Sequence, residues 1–251
     1  MHLQNNSKHV LKTALNSTAQ SRQNVRLWRE VESPGENRRI ELETRYDELT
    51  KKGFYGKRLT DVILGTAGFL IFTFLFPFIA LGIKIASPGP VIFKQKRIGL
   101  FGKSFTCYKF RTMHLIEMKS KNGEPVITEK GDQRIFKFGQ FLRKMNLDEL
   151  PQILNVLQGQ MSLVGPRPYT VDECRYWDEI FDDHYYRYIL APGVTGLAQA
   201  NGFRGGTLDE HKMRKRLDYD LIYTEKSSLL LDFQIIWLTI YRMFVRKTNG
   251  H

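Results

Sequence analysis

Two long apolar stretches stand out along this chain. Val62 to Ile83 carries no charged residue. As a helix at 1.5 Å per residue it is about 33 Å long, enough to cross a bilayer. Lys51, Lys52, Lys57 and Arg58 precede it, and Lys84, Lys94, Lys96 and Arg97 follow, so both ends favour the cytoplasmic side. Pro77 removes an N–H from the helix interior and can bend it. A bent segment can enter and leave the membrane by one face, provided the freed backbone groups find partners; a bitopic helix with a mild kink is the alternative. The second stretch, Ser228 to Val245, is interrupted by Asp232, Gln234 and Arg242. It is too short and polar for a comfortable span and predicts an amphipathic helix in the interface, with Trp237 and Tyr241 at headgroup level. A buried core helix is the competing reading.

Shorter patterns predict the remaining elements. Leu150, Ile153, Leu154 and Leu157 repeat at helical spacing. Asn146 with Glu149 three residues later has the form of a capping box, so the spacing predicts a helix beginning there. Pro151 falls early enough to be tolerated. Asp148 and Glu149 then occupy the first turn, where the helix dipole favours ionised acids. They complement the dipole, or they do chemistry: an ionised Asp beside Arg143 and Lys144 can attack phosphorus. Tyr108 and Phe110 alternate with Lys109 and Arg111, as on a strand with one polar face.

Length and charge narrow the class. The 251 residues fit one ordinary domain with a tail, and a net charge of +12 asks for an anionic partner. A phosphorylated substrate or an anionic membrane surface fits better than nucleic acid, because the basic residues are dispersed. Cys107 and Cys174 give neither a disulfide framework nor a metal-ligand pattern, and reduced thiols facing the cytosol are expected. The first fifty or so residues are polar, and no cleavable signal peptide is expected. Residues 1–20 read as disordered, and the alternating charges from Arg26 to Lys52, broken at Ser33-Pro34-Gly35, as exposed helical pieces approaching the membrane. The expected division is a polar extension over 1–53, a membrane helix over 54–86 and a cytosol-facing catalytic domain over 87–251. His114, His184 and His211 show no ligand spacing and are expected to be surface or satisfied polar residues.

The blocks Asn146-Leu147-Asp148-Glu149-Leu150-Pro151-Gln152 and Asn155 through Gly165-Pro166-Arg167-Pro168 resemble the signature of the bacterial sugar transferases. Ser87-Pro88-Gly89-Pro90-Val91-Ile92-Phe93-Lys94-Gln95, Tyr108-Lys109-Phe110-Arg111-Thr112-Met113 and Pro192-Gly193-Val194-Thr195-Gly196 also match, in family order from about Lys57 onward. The family contains small monotopic phosphoglycosyl transferases, which load a sugar-1-phosphate onto a polyprenyl phosphate.

That resemblance implies an α/β fold: a small sheet-bearing catalytic domain with a re-entrant helix-break-helix and interfacial helices. It implies a UDP-sugar donor, a polyprenyl phosphate acceptor and UMP release. The location would be the cytoplasmic face of the bacterial inner membrane. Asp148 would be the nucleophile, forming an aspartyl phospho-sugar, and Glu149 the Mg²⁺ ligand. Lys109, Arg111, Arg143, Arg167, Arg204 and Asp232 are the expected substrate-binding residues, and Pro77 the bend. Arg167 between two prolines has a pre-organised backbone suited to bidentate phosphate contact. Asp61 is expected to pair with a nearby base. The family usually shows Arg where this chain has Ala191, and Arg directly after Asn-Gly where Phe203 precedes Arg204; either Arg204 replaces that cation by a one-residue shift, or the substrate contacts differ. The product would feed downstream glycosyltransferases of exopolysaccharide or glycoconjugate assembly. The charged extension leaves a homodimer open. A non-catalytic adaptor that binds anionic lipid would also explain charge and hydropathy, but not the Asp-Glu and Pro-Arg-Pro blocks.

Overall fold

The structure is a computed structural model and describes residues 36–51, 56–115, 128 and 131–245. The readings of residues 1–20 and of Ser33-Pro34-Gly35 fall outside these residues. Helix α1, Glu36–Lys51, is helical and largely exposed among its described side chains, as its charge alternation predicts, but one side docks on the domain. Leu42 is fully buried. Glu41 accepts hydrogen bonds from the hydroxyls of Tyr185 (3.1 Å) and Tyr186 (2.8 Å), and Tyr46 meets Phe101 edge-on. One apolar position and a few polar partners suffice to dock the helix.

Helix α2, Lys57–Ala86, contains the first apolar stretch and remains helical through Pro77. The break expected at the proline is therefore not an interruption of the helix. Its buried residues, Lys57, Asp61, Gly65, Phe72, Ile79 and Ile83, fall on one stripe. Leu59, Ile63, Leu70, Ile71, Phe74, Phe78, Leu81 and Ile85 are exposed. Gly65 and Gly68 let the helix approach α4, Gln152–Leu157, with Leu157 and Ile153 in contact. At Gly82 a Cβ would stand 2.5 Å from the Phe138 ring. Phe72 and Phe76 each pack against Phe110 at 5.9 Å.

Both ends of α2 are tied to the same body. Lys57 Nζ donates to Asp232 (2.7 Å), to Tyr223 and to the Val164 carbonyl. Arg58 donates to the Val156 and Leu157 carbonyls, satisfying the end of α4. Asp61 accepts from Ser162 Oγ and Leu163 N–H rather than pairing with a base, because the strand start beside it offers unsatisfied donors. Beyond the far end, Arg111 holds the Ser87 side chain and carbonyl.

Strands β1 (Ile92–Ile98) and β2 (Ser104–Phe110) form an antiparallel hairpin with Ile92 opposite Phe110. β3 (Ser162–Val164) pairs in parallel with β4 (Gly193–Thr195). At Gly193 a Cβ would lie 2.1 Å from the Gly165 nitrogen, so that close crossing excludes any side chain. Asn155 of α4 bonds the Thr106 carbonyl and the Tyr108 N–H, fixing the helix on β2. Helices α3 (Lys137–Lys144), α5 (Val171–Ile180), α6 (Leu197–Ala200), α7 (Glu210–Lys226) and α8 (Leu229–Val245) complete the mixed α/β fold. Within α8, Asp232 and Ile235 are buried while Leu230, Phe233, Trp237, Ile240 and Tyr241 are exposed. It is amphipathic, with one face packed and the other apolar and bare. Two bare apolar faces, on α2 and α8, are the surfaces on which membrane association rests.

Removing one partner of the Lys57–Asp232 pair leaves the other charge buried. Lys57→Met should cost about 3–5 kcal/mol, whereas Lys57→Met with Asp232→Leu should recover much of that loss. Chemical denaturation in detergent measures both; equal losses would show that the ion pair is not what holds the helix start.

Candidate active site

The acid pair sits at a corner between α3 and α4, not inside a capped helix. Asn146 adopts φ +54° and makes no side-chain cap. Its N–H bonds the Arg143 carbonyl, so it closes α3 as a left-handed C-terminal residue, a position Asn tolerates. Leu147–Glu149 then form one 3-10 turn, with Pro151 leading into α4. The expected capping box therefore fails, because Asn146 ends one helix instead of starting the next. The corner projects both carboxyls into a cleft of about 790 Å³.

Four cations converge on that corner from four segments. Lys109, near the end of β2, donates to Glu149 Oε1 at 2.7 Å. Arg167, between its prolines after β3, reaches the same oxygen at 3.2 Å. Arg143 from α3 lines the cleft with Nε on Thr112. Arg204, after α6, donates to Asn146 Oδ1 and to the Gln199 carbonyl. Two expected substrate-binding residues are held by protein partners in this structure. Arg111 borders the cleft, but its three nitrogens are committed to Pro90 and Ser87. Asp232 is outside the cleft lining, bonded to Lys57 and Tyr223. Both side chains are buried, and the protein groups beside them take up their charge.

Arg97, Arg134 and Gln199 also line the cleft and carry no signal in the sequence pattern. Arg97 donates to the Pro168 carbonyl and to Gln95, so only its place in the Lys94–Arg97 run could have pointed to it. His114 borders the cleft with Nδ1 on Ser87 Oγ. His184 is fully buried, with Nδ1 on Asp178 at 2.6 Å, and burial lowers its basicity. Cys107 and Cys174 are free and buried, the Cys174 thiol pushed up to about 12 by burial, which keeps it inert.

Two adjacent carboxyls are thereby given different charge. Burial and then the neighbouring Glu149 raise Asp148 to about 6, against the pull of Lys109 and Arg143. Burial works against the Glu149 charge as well, but Lys109 and Arg167 outweigh it and hold that carboxyl far below the usual range. Such a split is how paired acids take separate roles. Among the described residues no group of three or more His, Cys, Asp or Glu forms a metal cluster. Mg²⁺ needs less, since one or two carboxylates suffice when substrate phosphates and water complete its shell. Both ion pairs of Glu149 use Oε1, so Oε2 suits that minimal role.

The half-buried acid pair, the converging cations and the bare apolar helices beside them meet around one cleft. The model for the bacterial sugar transferase family matches residues 52–246, and the chain belongs to that family. It is 42% identical over 193 residues to an Escherichia coli protein named UDP-glucose:undecaprenyl-phosphate glucose-1-phosphate transferase, covering 76% of this chain and 40% of that protein. A Caulobacter vibrioides protein of the same name is 42% identical over 185 residues, 73% of this chain and 68% of its own length. An exopolysaccharide production protein of Rhizobium leguminosarum is 39% identical over 193 residues, 76% of this chain and 96% of its own. This chain spans about two fifths of the length of the E. coli relative.

In metal-free protein the Asp148 carboxyl should titrate about pH 6, protonated below and ionised above, and Lys109→Met should move the midpoint higher. Carbon-13 NMR of aspartate-labelled protein reads this directly. A midpoint at the ordinary value of about 3.9 would refute the burial argument.

Proposed function

We propose that the chain catalyses phosphoglycosyl transfer: UDP-sugar plus polyprenyl phosphate gives polyprenyl-diphosphate sugar plus UMP. The observation that carries it is the corner bearing Asp148 and Glu149. It faces a cation-lined cleft whose wall also includes Gly68 of α2 and Thr239 of α8, so phosphate chemistry and apolar helices share one cavity.

The Asp148 carboxylate attacks the β-phosphorus of the donor, and the bond from that phosphorus to the bridging oxygen breaks. UMP leaves with the electron pair. A lipid phosphate oxygen then attacks the same phosphorus and frees the Asp148 carboxylate. Arg143, Arg167, Arg204 and Lys109 neutralise the phosphoryl oxygens along this path, where fixed charge counts most. Glu149 and the donor phosphates would hold Mg²⁺, which when bound supplies further neutralisation of the diphosphate. The names of the E. coli and Caulobacter relatives support UDP-glucose and undecaprenyl phosphate as the substrates; the Rhizobium relative's name supports a role in exopolysaccharide production.

Membrane geometry follows from the docking of α2. Because Lys57 and the residues after Ala86 are tied to one domain, a helix crossing the bilayer would draw part of that domain across with it. The reading supported is monotopic: α2, continuous through Pro77 and held to the domain at both ends, sinks its exposed apolar face into the inner leaflet from the cytoplasmic side. The bare face of α8 lies in the interface, with Trp237 and Tyr241 at headgroup depth. A basic lipid-binding adaptor would need none of the acid chemistry.

Mixing enzyme with UDP-glucose alone should release UMP in a burst stoichiometric with enzyme. Release that begins only after lipid phosphate is added would rule out the aspartyl intermediate. Asp148→Asn should lower turnover by about 10⁴-fold or more, without loss of the folded signal. Glu149→Gln should also be severely impaired. In a panel of UDP-sugars, UDP-glucose should give the largest burst.

A further inference from the structure

Behind the cleft, two buried arginines that never reach it hold the main chain of two that do. Arg187 is 2% exposed, and its Nη2 donates to the Arg167 carbonyl and to Asp220 Oδ2, both at 2.7 Å. Arg216 is 3% exposed; its Nη2 donates to the Arg204 carbonyl at 3.2 Å and its Nη1 to the Tyr169 hydroxyl at 3.1 Å. Tyr169 joins the two, since the Arg187 guanidinium lies 4.0 Å over its ring. Asp220 and Arg216 both come from α7, so one helix braces both cleft arginines.

This arrangement is poor as a source of stability. Among the described residues Asp220 is the only carboxylate within ion-pair distance of either arginine. The Nε atoms of both Arg187 and Arg216 are buried without a hydrogen-bond partner. Apolar side chains of similar volume generally stabilise such a core better than buried ions do. What apolar groups cannot do is clamp a carbonyl. A carbonyl fixed on one side of a peptide fixes where the attached side chain departs, and a long guanidinium arm magnifies any error at its root.

We propose that Arg187 and Arg216 are positioning residues, which set the reach of Arg167 and Arg204 into the cleft by gripping their main-chain carbonyls. The proposal rests on the reading above, in which Arg167 and Arg204 bind substrate phosphate. Arg187 with Asp220 serves Arg167; Arg216 with Tyr169 serves Arg204.

Calorimetric binding of UDP to the full chain in detergent tests it through two double-mutant cycles. Arg204→Met alone should weaken UDP binding about tenfold or more, as for a lost charged hydrogen bond. Arg216→Met alone should weaken it in the same direction. In the Arg204→Met background, Arg216→Met should add less than about twofold, because the arm it positions is gone. Arg187→Met combined with Asp220→Leu removes both buried charges together and should behave likewise against Arg167→Met. A merely structural role would lower the melting temperature and weaken UDP by the same factor in either background, and that additive result overturns the proposal. If the Arg187→Met/Asp220→Leu protein does not fold, the Arg216–Arg204 cycle decides alone. Should UDP bind equally well to wild type, Arg167→Met and Arg204→Met, the reading of the cleft as a phosphate site fails, which is a different result from additivity.

Discussion

Everything in the cleft depends on Glu149 being held between Lys109 and Arg167. Those contacts bring together β2, the corner after α3 and the loop after β3, segments distant in sequence. Two cations on one oxygen make Glu149 an obligate anion. Its fixed charge, with burial, raises the neighbouring Asp148. A raised carboxyl is a better nucleophile once ionised than one sitting deep in a salt bridge, because its charge is less stabilised. The same cations remain beside it, so an anion entering the cleft would meet them together with Asp148. The difference between two neighbouring acids is therefore electrostatic, and it arises from which one reaches Lys109.

The second constraint is the anchoring of α2 at both ends. An apolar helix with one face packed along a domain and the other bare cannot hide the bare face by folding alone. The bare face of α8 adds to the same problem. Lys57 fastens the start of α2 to Asp232 in the first turn of α8, so one buried ion pair fixes the two helices relative to each other. An acid suggested by pattern as a substrate ligand thus joins two helices of the scaffold outside the cleft lining.

What sequence reading reaches, and where it stops, follows from the range of the interactions. Apolar runs revealed α2 and α8, and helical spacing revealed α4, because each of these helices buries a stripe. The carboxyl pair and the arginine between prolines stand in short local motifs, and all line the cleft. Asn146 misleads because a left-handed residue closing one helix has the same composition as a cap opening the next; only the backbone angle separates them. The partners of Arg111 and Asp232 are not legible because a buried charge looks the same in sequence whether it meets substrate or Ser87 and Lys57. Arg97, Arg187 and Arg216 have partners dozens of residues away or on main-chain carbonyls, which leave no pattern.

The two departures from the family pattern have different weight. Ala191 replaces a usual arginine but is not among the residues lining the cleft, so the cations facing Asp148 do not depend on it. Phe203 replaces the arginine after Asn-Gly, and its ring packs on Tyr219 of α7 at 5.4 Å. That contact fastens the loop to the helix that also grips the Arg204 carbonyl. The next residue, Arg204, is thereby delivered to the cleft, where Asn146 and the Gln199 carbonyl receive it.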